Sequence, residues 1–330
     1  MSNQSRLKTW IILGIILSIS FILADQYVRL IEIPTLEARR DLQQSILNGT
    51  AVSPYQFRVL VPWFTHGLEN FLGLFTQNDT FGLAYIVFDI LAIFSSLAAL
   101  YIYLQNWFPV EISLIGSLIA ALSMLTCFRD HYFQPWSLLE PAIIAFGLHL
   151  LYHRKFTLFG MVIILGSLNR ETTIFLVVAY FLSWALPDIR KVFSRQSLRW
   201  WLMGLIFFCL WAVVFLGIRI LFGETPRAIT VIEIWRINIQ SKNLLKSVKL
   251  ILLFLGVFWL LIPLGLHHAH VFIRKMAWLI PLYLGLIVFF SIWYEVRLLM
   301  TLYPIIIPIG LSYLHPCRNL NIETGKRITS

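Results

Sequence analysis

Residues 156–187 read FTLFGMVIILGSLNRETTIFLVVAYFLSWALP, and the Asn169-Arg170-Glu171-Thr172 at its middle decides the fold. Two apolar arms of 13 and 16 residues flank a charge pair. The first follows His153-Arg154-Lys155 and the second leads into Asp188-Ile189-Arg190-Lys191. Basic clusters beside apolar runs mark the cytoplasmic side of a bilayer. Both outer ends of the stretch are therefore expected inside, with the chain entering and returning between them. Each arm is shorter than the roughly 20 residues of a full helical crossing, which sets Arg170 and Glu171 below the outer membrane surface. Ionisable groups at that depth are costly unless they line a cavity or partner one another. The stretch predicts a polar chamber open to the extracytoplasmic side.

Composition agrees. The 330 residues are 59% hydrophobic and 13% charged, with mean hydropathy +0.79, which excludes an ordinary soluble domain. Apolar runs recur along almost the whole length, so residues 1–330 read as a single integral-membrane domain, all-α and polytopic. The net charge of +10 reflects Lys and Arg in short loops that set topology, and no nucleic-acid partner is expected. Cys127, Cys209 and Cys317 lie in or beside apolar runs without metal-ligand spacing and read as small membrane-core residues. Arg6 and Lys8 precede the first apolar run and no small-residue cleavage site follows it, so it reads as a retained first helix.

Crossings are expected near 9–24, 81–104, 109–127, 135–152, 156–168, 173–187, 200–222, 248–267, 276–293 and 298–315, about ten transmembrane helices. With Arg6 and Lys8 inside, alternation places Arg154-Lys155, Arg190-Lys191, Arg274-Lys275 and the tail 316–330 inside as well, in agreement with the positive-inside rule. Both termini are then cytoplasmic in a cell (inner) membrane protein. Two long connections, 25–80 and 223–247, fall outside. The second interleaves Ile and Val with Arg227, Arg236, Lys242 and Lys246, and reads either as an interfacial segment or as a solvated loop.

The first outer loop carries two juxtamembrane helices. Thr35 is placed as an N-cap, Glu37 suits the positive end of a helix dipole and Gly49 fits a C-terminal stop, framing a helix over 36–48. Glu37, Arg40, Asp41 and Gln44 share one face of it, the pattern also of a solvated helix with local ion pairs. After Ser53-Pro54-Tyr55-Gln56 a second helix carries Phe57, Leu60, Val61, Phe64, Leu68, Phe71, Leu72 and Phe75 at helical spacing, an amphipathic helix in the interface plane. Arg58 at its first turn is positioned to snorkel to head groups or to hold a lipid phosphate.

On this topology the unusual polar groups converge on the outer half. They are Arg129, Asp130, His131 and Gln134 before the fourth crossing, Glu140 within it, Asp89 within the second, Asn169, Arg170 and Glu171, and Tyr294, Glu295 and Arg297 between the last two crossings. Arg side chains grip phosphate bidentately, and a carboxylate accepts a proton from an attacking hydroxyl. The set suits a phosphate-bearing amphiphile. No Gly-rich phosphate loop, His-rich metal motif or Ser-His-Asp spacing is present.

Pro34-Thr35-Leu36-Glu37-Ala38-Arg39-Arg40-Asp41-Leu42, then Leu47-Asn48-Gly49 and Ser53-Pro54-Tyr55, resembles the stretch after the first helix in GT-C-type membrane glycosyltransferases, closest to the aminoarabinose-transferase and protein-mannosyltransferase branches. That resemblance implies a sugar donor on a polyprenyl-phosphate carrier, used at the outer face. It implies Glu37 at the acidic motif, Arg39 at its following Arg, and Arg58 near the phosphate-handling region. The chain departs from the pattern at Leu36, where the family carries Asp, and at Arg40, where it carries an aromatic residue.

The leading expectation is a GT-C-like glycosyltransferase moving a sugar to a glycan, lipid or protein acceptor. Glu37 would act as general base with Asp41 or Glu171 in reserve. Arg58, Arg170 and Arg297 would hold the phosphate, with Arg39, Tyr55, Asp130, His131, Gln134, Glu140, Asn169, Tyr294 and Glu295 lining the substrate site. No cofactor is certain from the sequence, and a divalent metal ion near Glu37 and Asp41 stays open, since the spacing does not demand one. The alternatives are a transporter or flippase with Asp89 and Glu140 as relays, and a non-catalytic partner in envelope assembly.

Overall fold

The computed structural model describes residues 3–76, 79–130, 134–185, 195–223 and 225–315. Helix accounts for 84% of it and no strand occurs among the described residues, so the apolar runs all resolve as helices. Six helices are long and apolar enough to cross a membrane, or seven if one bent pair counts as a single crossing. That is the build of a multi-pass membrane protein. His131, Cys317, the 188–191 cluster and the tail 316–330 lie outside the described residues.

The first helix, α1 (Asn3–Tyr27), does not stop near residue 24 as expected. It runs on through a π turn (Val28–Glu32) and a 3₁₀ turn (Ile33–Thr35) into α2 (Leu36–Leu47), making Lys8–Leu47 one helical stretch of 40 residues. The expected Thr35 cap is accordingly absent. Its hydroxyl donates to the Ile31 carbonyl at 2.6 Å, and its side chain makes no cap bond. The preceding turns supply carbonyls to the N–H groups that a cap would otherwise satisfy. The stop at Gly49 is as expected: φ is +75°, and the N–H of Thr50 bonds the Ser45 carbonyl at 2.9 Å, a left-handed closure that glycine adopts without steric cost.

Next, Tyr55–Phe57 form a 3₁₀ turn, Arg58 leaves helical geometry (φ −104°, ψ 66°), and α3 (Leu60–Gly73) begins three residues later than the apolar spacing predicts. It buries Val61 and Thr65 against its neighbours and leaves Phe64 and Phe71 exposed, with Phe75 exposed just past its end, the one-sided distribution of an amphipathic helix. Asp79 caps α4 (Thr80–Leu104), accepting from the Phe81 N–H at 3.1 Å.

The bundle continues with α5 (Val110–Cys127), α6 (Trp136–Tyr152), α7 (Phe156–Asn169), α8 (Ile174–Tyr180) and α9 (Arg195–Phe222). The connection at 223–247 is not a plain loop. It holds α10 (Val231–Ile239), opened by a reciprocal box in which Thr230 and Glu233 satisfy each other's backbone N–H. Then α11 (Ser241–Leu255) and α12 (Phe258–Gly265) meet at a 64° bend, with Gly256 at φ +52°. After α13 (Val271–Met276) and α14 (Leu279–Phe290), a 3₁₀ segment Val296–Leu302 leads into α15 (Tyr303–Leu314).

Burial ranks these elements. In the most apolar window of Val296–Leu314, 94% is buried, against 11% for Leu198–Phe222, so α15 is the central post and α9 an outer stave. A Cβ on Gly265 of α12 would sit 2.0 Å from the Ile309 carbonyl oxygen, so glycine lets α12 and α15 touch backbone to backbone. Cys127 is buried in α5 and Cys209 exposed on α9.

Candidate functional site

The Asn169–Thr172 turn sets the site. α7 ends at Asn169, Arg170 is extended (φ −157°, ψ 147°), and a short 3₁₀ turn leads into α8. The break aims three side chains at α6. Asn169 donates to the Trp136 carbonyl at 3.1 Å, while Arg170 and Thr172 both hydrogen-bond the Glu140 carboxylate. Glu140 and Arg170 are 3% and 4% exposed, so neither charge leans on solvent. Glu171 faces the other way. Its carboxylate accepts from Arg58 Nη2 at 2.7 Å, and its backbone carbonyl accepts from Trp211 Nε1 at 3.3 Å.

Arg58 reaches this turn because the chain leaves helical geometry at that residue before α3 begins. Its guanidinium lies 5.7 Å from the Trp136 ring, which also meets Tyr55 at 6.0 Å. A second strap comes from residues far along the sequence. The Ser53 N–H donates to the Pro226 carbonyl at 2.8 Å, and the Ala228 N–H to the Ser53 carbonyl at 2.9 Å. This bridge brings Arg227 over the same space. On the far side Asn238, fully buried, donates to the Ser291 carbonyl at 2.9 Å and accepts from the Trp293 N–H at 3.0 Å, pinning α10 to the end of α14.

Between these parts lies a cavity of about 450 Å³. Arg58, Arg170, Glu171, Arg227 and Glu295 line it, with Tyr55, Gln134, Thr172 and Tyr283 as further polar neighbours. An apolar wall of Ile234, Leu286, Ile287 and Phe290 closes one side, and Phe290 is 59% exposed away from the bundle. The charges are organised in pairs: Arg58 with Glu171, Arg170 with Glu140, and Glu295 with Arg297 at 2.7 Å. Arg227 has no carboxylate partner among the described residues, so its guanidinium adds a positive charge beside the three pairs. Paired guanidinium groups still add donors, because each carries five N–H groups and a single carboxylate does not occupy them all.

Of the residues singled out by sequence, Tyr55, Arg58, Gln134, Arg170, Glu171 and Glu295 meet on this cavity. Glu140 and Arg297 stand behind it as counter-charges, and Asn169 holds the turn. Glu37 and Asp41 do not join them. Both are exposed on the outer face of α2 and neither lines the cavity. Arg39 is turned inward instead, 1% exposed and 2.5 Å from Glu32. Tyr294 lies beneath Lys246, whose Nζ is 4.1 Å from the ring centre. Asp130 closes a 3₁₀ turn after α5. No group of three or more His, Cys, Asp or Glu that could hold a metal ion occurs among the described residues.

Sequence reasoning missed Arg227 and Tyr283 as members of this site. The Pro226-Arg227 pair in a loop was the available signal for the first, and its meaning depends on the bridge to Ser53. Outside the membrane-spanning segments, Glu233 shows how the cavity's roof is set. The backbone N–H of Thr230 and then its hydroxyl donate to the Glu233 carboxylate, holding it below the usual carboxylate range. Compared with known proteins, the chain matches no family profile, no curated protein and no solved structure.

Proposed function

We propose that this protein is an integral-membrane glycosyltransferase of GT-C type, taking a sugar from a polyprenyl-phosphate donor at the extracytoplasmic face of the cell membrane. The observation that carries the reading is the cavity where Arg58, Arg170, Arg227 and Glu171 meet beside the apolar wall of Leu286, Ile287 and Phe290. A phosphate head and an isoprenoid tail need those two surfaces side by side. The resemblance at residues 34–58 supplies the sugar. Taking the three shorter apolar helices, Trp136–Tyr152, Phe156–Asn169 and Glu171–Trp184, with the six long ones and the bent pair gives ten crossings. Lys and Arg in the short loops then place both termini in the cytoplasm.

The general base is Glu171, since Glu37 and Asp41 stand away from the cavity. The acceptor hydroxyl oxygen attacks the anomeric carbon of the donor sugar. The bond from that carbon to the phosphate oxygen breaks, and the carrier phosphate leaves with the electron pair. The hydroxyl proton passes to Glu171. An arriving phosphate competes for Arg58 and so frees the carboxylate, while Arg170 and Arg227 neutralise charge on the leaving group. The transport alternative needs Asp89 and Glu140 on one path, whereas Glu140 is paired with Arg170 at the cavity and Asp89, fully buried in α4, does not line it.

The test uses purified protein in lipid nanodiscs, a panel of polyprenyl-phosphate sugars, and the Glu171→Gln and Arg227→Ala variants. Glu171→Gln should lower turnover by about 10²–10⁴-fold, the usual range for a general base. Arg227→Ala should raise the donor concentration needed for half-maximal rate. Unchanged turnover in both variants refutes the mechanism.

A further inference from the structure

Arg219 sits in the last turn of α9 and outside the cavity, on the helix that is least buried in the bundle. Leu216 and Ile220 beside it are 52% and 82% exposed, which in a multi-pass membrane protein means exposed to lipid. A cation in such a place is ordinarily paired with a carboxylate or left to snorkel towards head groups. Arg219 forms no ion pair with Asp or Glu among the described residues. Its half-buried side chain is not loose either. The guanidinium carbon lies 4.3 Å from the Phe57 ring centre and 3.5 Å from that of Phe215, and Nη1 donates to the Phe215 carbonyl at 3.1 Å.

Both rings are themselves anchored. Phe215 stacks on Trp211 with ring centres 4.6 Å apart, and Trp211 Nε1 donates to the Glu171 carbonyl at 3.3 Å. Phe57 ends the turn that leads directly into Arg58, and Arg58 pairs with the Glu171 carboxylate. The two walls that hold Arg219 are therefore tied to one turn, and the guanidinium is placed before any ligand arrives.

A guanidinium carries five N–H donors in one plane. Aromatic stacking occupies its faces and leaves the edge for two parallel bonds to phosphate oxygens, and the Phe215 carbonyl takes only part of that edge. Charge narrows the ligand further. One guanidinium balances the single negative charge of a phosphodiester, whereas a phosphomonoester carries up to about two near neutral pH. We propose that Arg219 binds the phosphodiester of a membrane phospholipid, whose acyl chains lie along α9 beside Leu216 and Ile220. The site is separate from the cavity and does not depend on the transfer reaction proposed for it.

The test titrates the delipidated full chain in uncharged detergent with dioleoyl-phosphatidylglycerol and counts bound lipid by native mass spectrometry. Wild type should hold one phosphatidylglycerol more tightly than the rest. Arg219→Gln should weaken that step by about tenfold or more, the usual loss of a hydrogen bond to a charged group. Arg219→Lys should not restore it, because an ammonium lacks the planar fork; where Arg219→Gln fails to fold, Arg219→Lys decides. Equal binding by wild type and Arg219→Gln overturns the inference. So does equal binding of dioleoylglycerol, which has the same chains and no phosphate. Loss of the tight step in Arg227→Ala but not in Arg219→Gln overturns it by placing the lipid in the cavity. Displacement by equimolar inorganic phosphate or polyprenyl phosphate also overturns it, in favour of a free anion or of the donor carrier.

Discussion

Truncating Glu140 tests the central electrostatic argument. Glu140→Ala leaves the Arg170 guanidinium, 4% exposed, without its carboxylate, and deprives the Thr172 hydroxyl of its acceptor. Removing one partner of a buried ion pair costs about 3–5 kcal/mol, most of it the penalty of an uncompensated charge. At about 2 °C per kcal/mol for a chain of this size, the apparent melting temperature should fall by about 6–10 °C, read by tryptophan fluorescence in nanodiscs. The pair Glu140→Leu with Arg170→Met removes both charges at similar volume. Such replacements are often neutral or stabilising by about 1–4 kcal/mol, so the double variant should recover most of the loss. It should still lose donor binding, because Arg170 lines the cavity. A Glu140→Ala protein melting within about 1 °C of wild type, or a double variant less stable than either single one, refutes the reasoning.

Two further outcomes follow from geometry. Gly265→Ala should be among the most damaging single-atom additions to this fold, because the new Cβ would lie 2.0 Å from the Ile309 carbonyl oxygen. Backbone cannot swing aside as a side chain can, so a loss of several degrees in melting temperature is expected, and a neutral result would mean α12 is not seated on α15 as described. Glu233 gives a pH dependence: because its carboxyl is held below the usual range, its support for the first turn of α10 is complete above that range. The support is lost as pH falls through the lowered value. Amide exchange at α10, corrected for intrinsic rates, should accelerate there in wild type and stay flat in Glu233→Gln.

Much of this architecture is legible in the sequence. The crossings are written in hydropathy because lipid forces long apolar helices, and Arg170-Glu171 stands out because charges are scarce in such surroundings. The stop at Gly49 is local chemistry and reads correctly. Thr35 does not, since a cap depends on whether the chain upstream is already helical. The solvated face of α2 reads correctly, with Glu37, Arg40, Asp41 and Gln44 all exposed, but its distance from the cavity does not. The spacing groups Glu37, Arg40, Asp41 and Gln44, but packing turns Arg39, Gln43 and Ile46 inward, where Gln43 accepts from Thr65 at 2.9 Å and from Tyr85 at 2.6 Å. Arg227 was hidden because the loop that carries it joins Ser53 across more than half the chain, a pairing no local pattern announces.

The shortness of α7 has a bearing on the surrounding lipid. Fourteen residues rise about 21 Å, against about 30 Å for the hydrocarbon thickness of a typical bilayer. On the proposed ten-crossing reading, acyl chains beside this hairpin compress or let head groups and water sag inward, at a cost of fractions of a kcal/mol per ångström of mismatch. A thinner membrane relieves that strain, so on the proposed reading fatty-acid length becomes a control over how readily a lipid donor reaches the Arg170 turn.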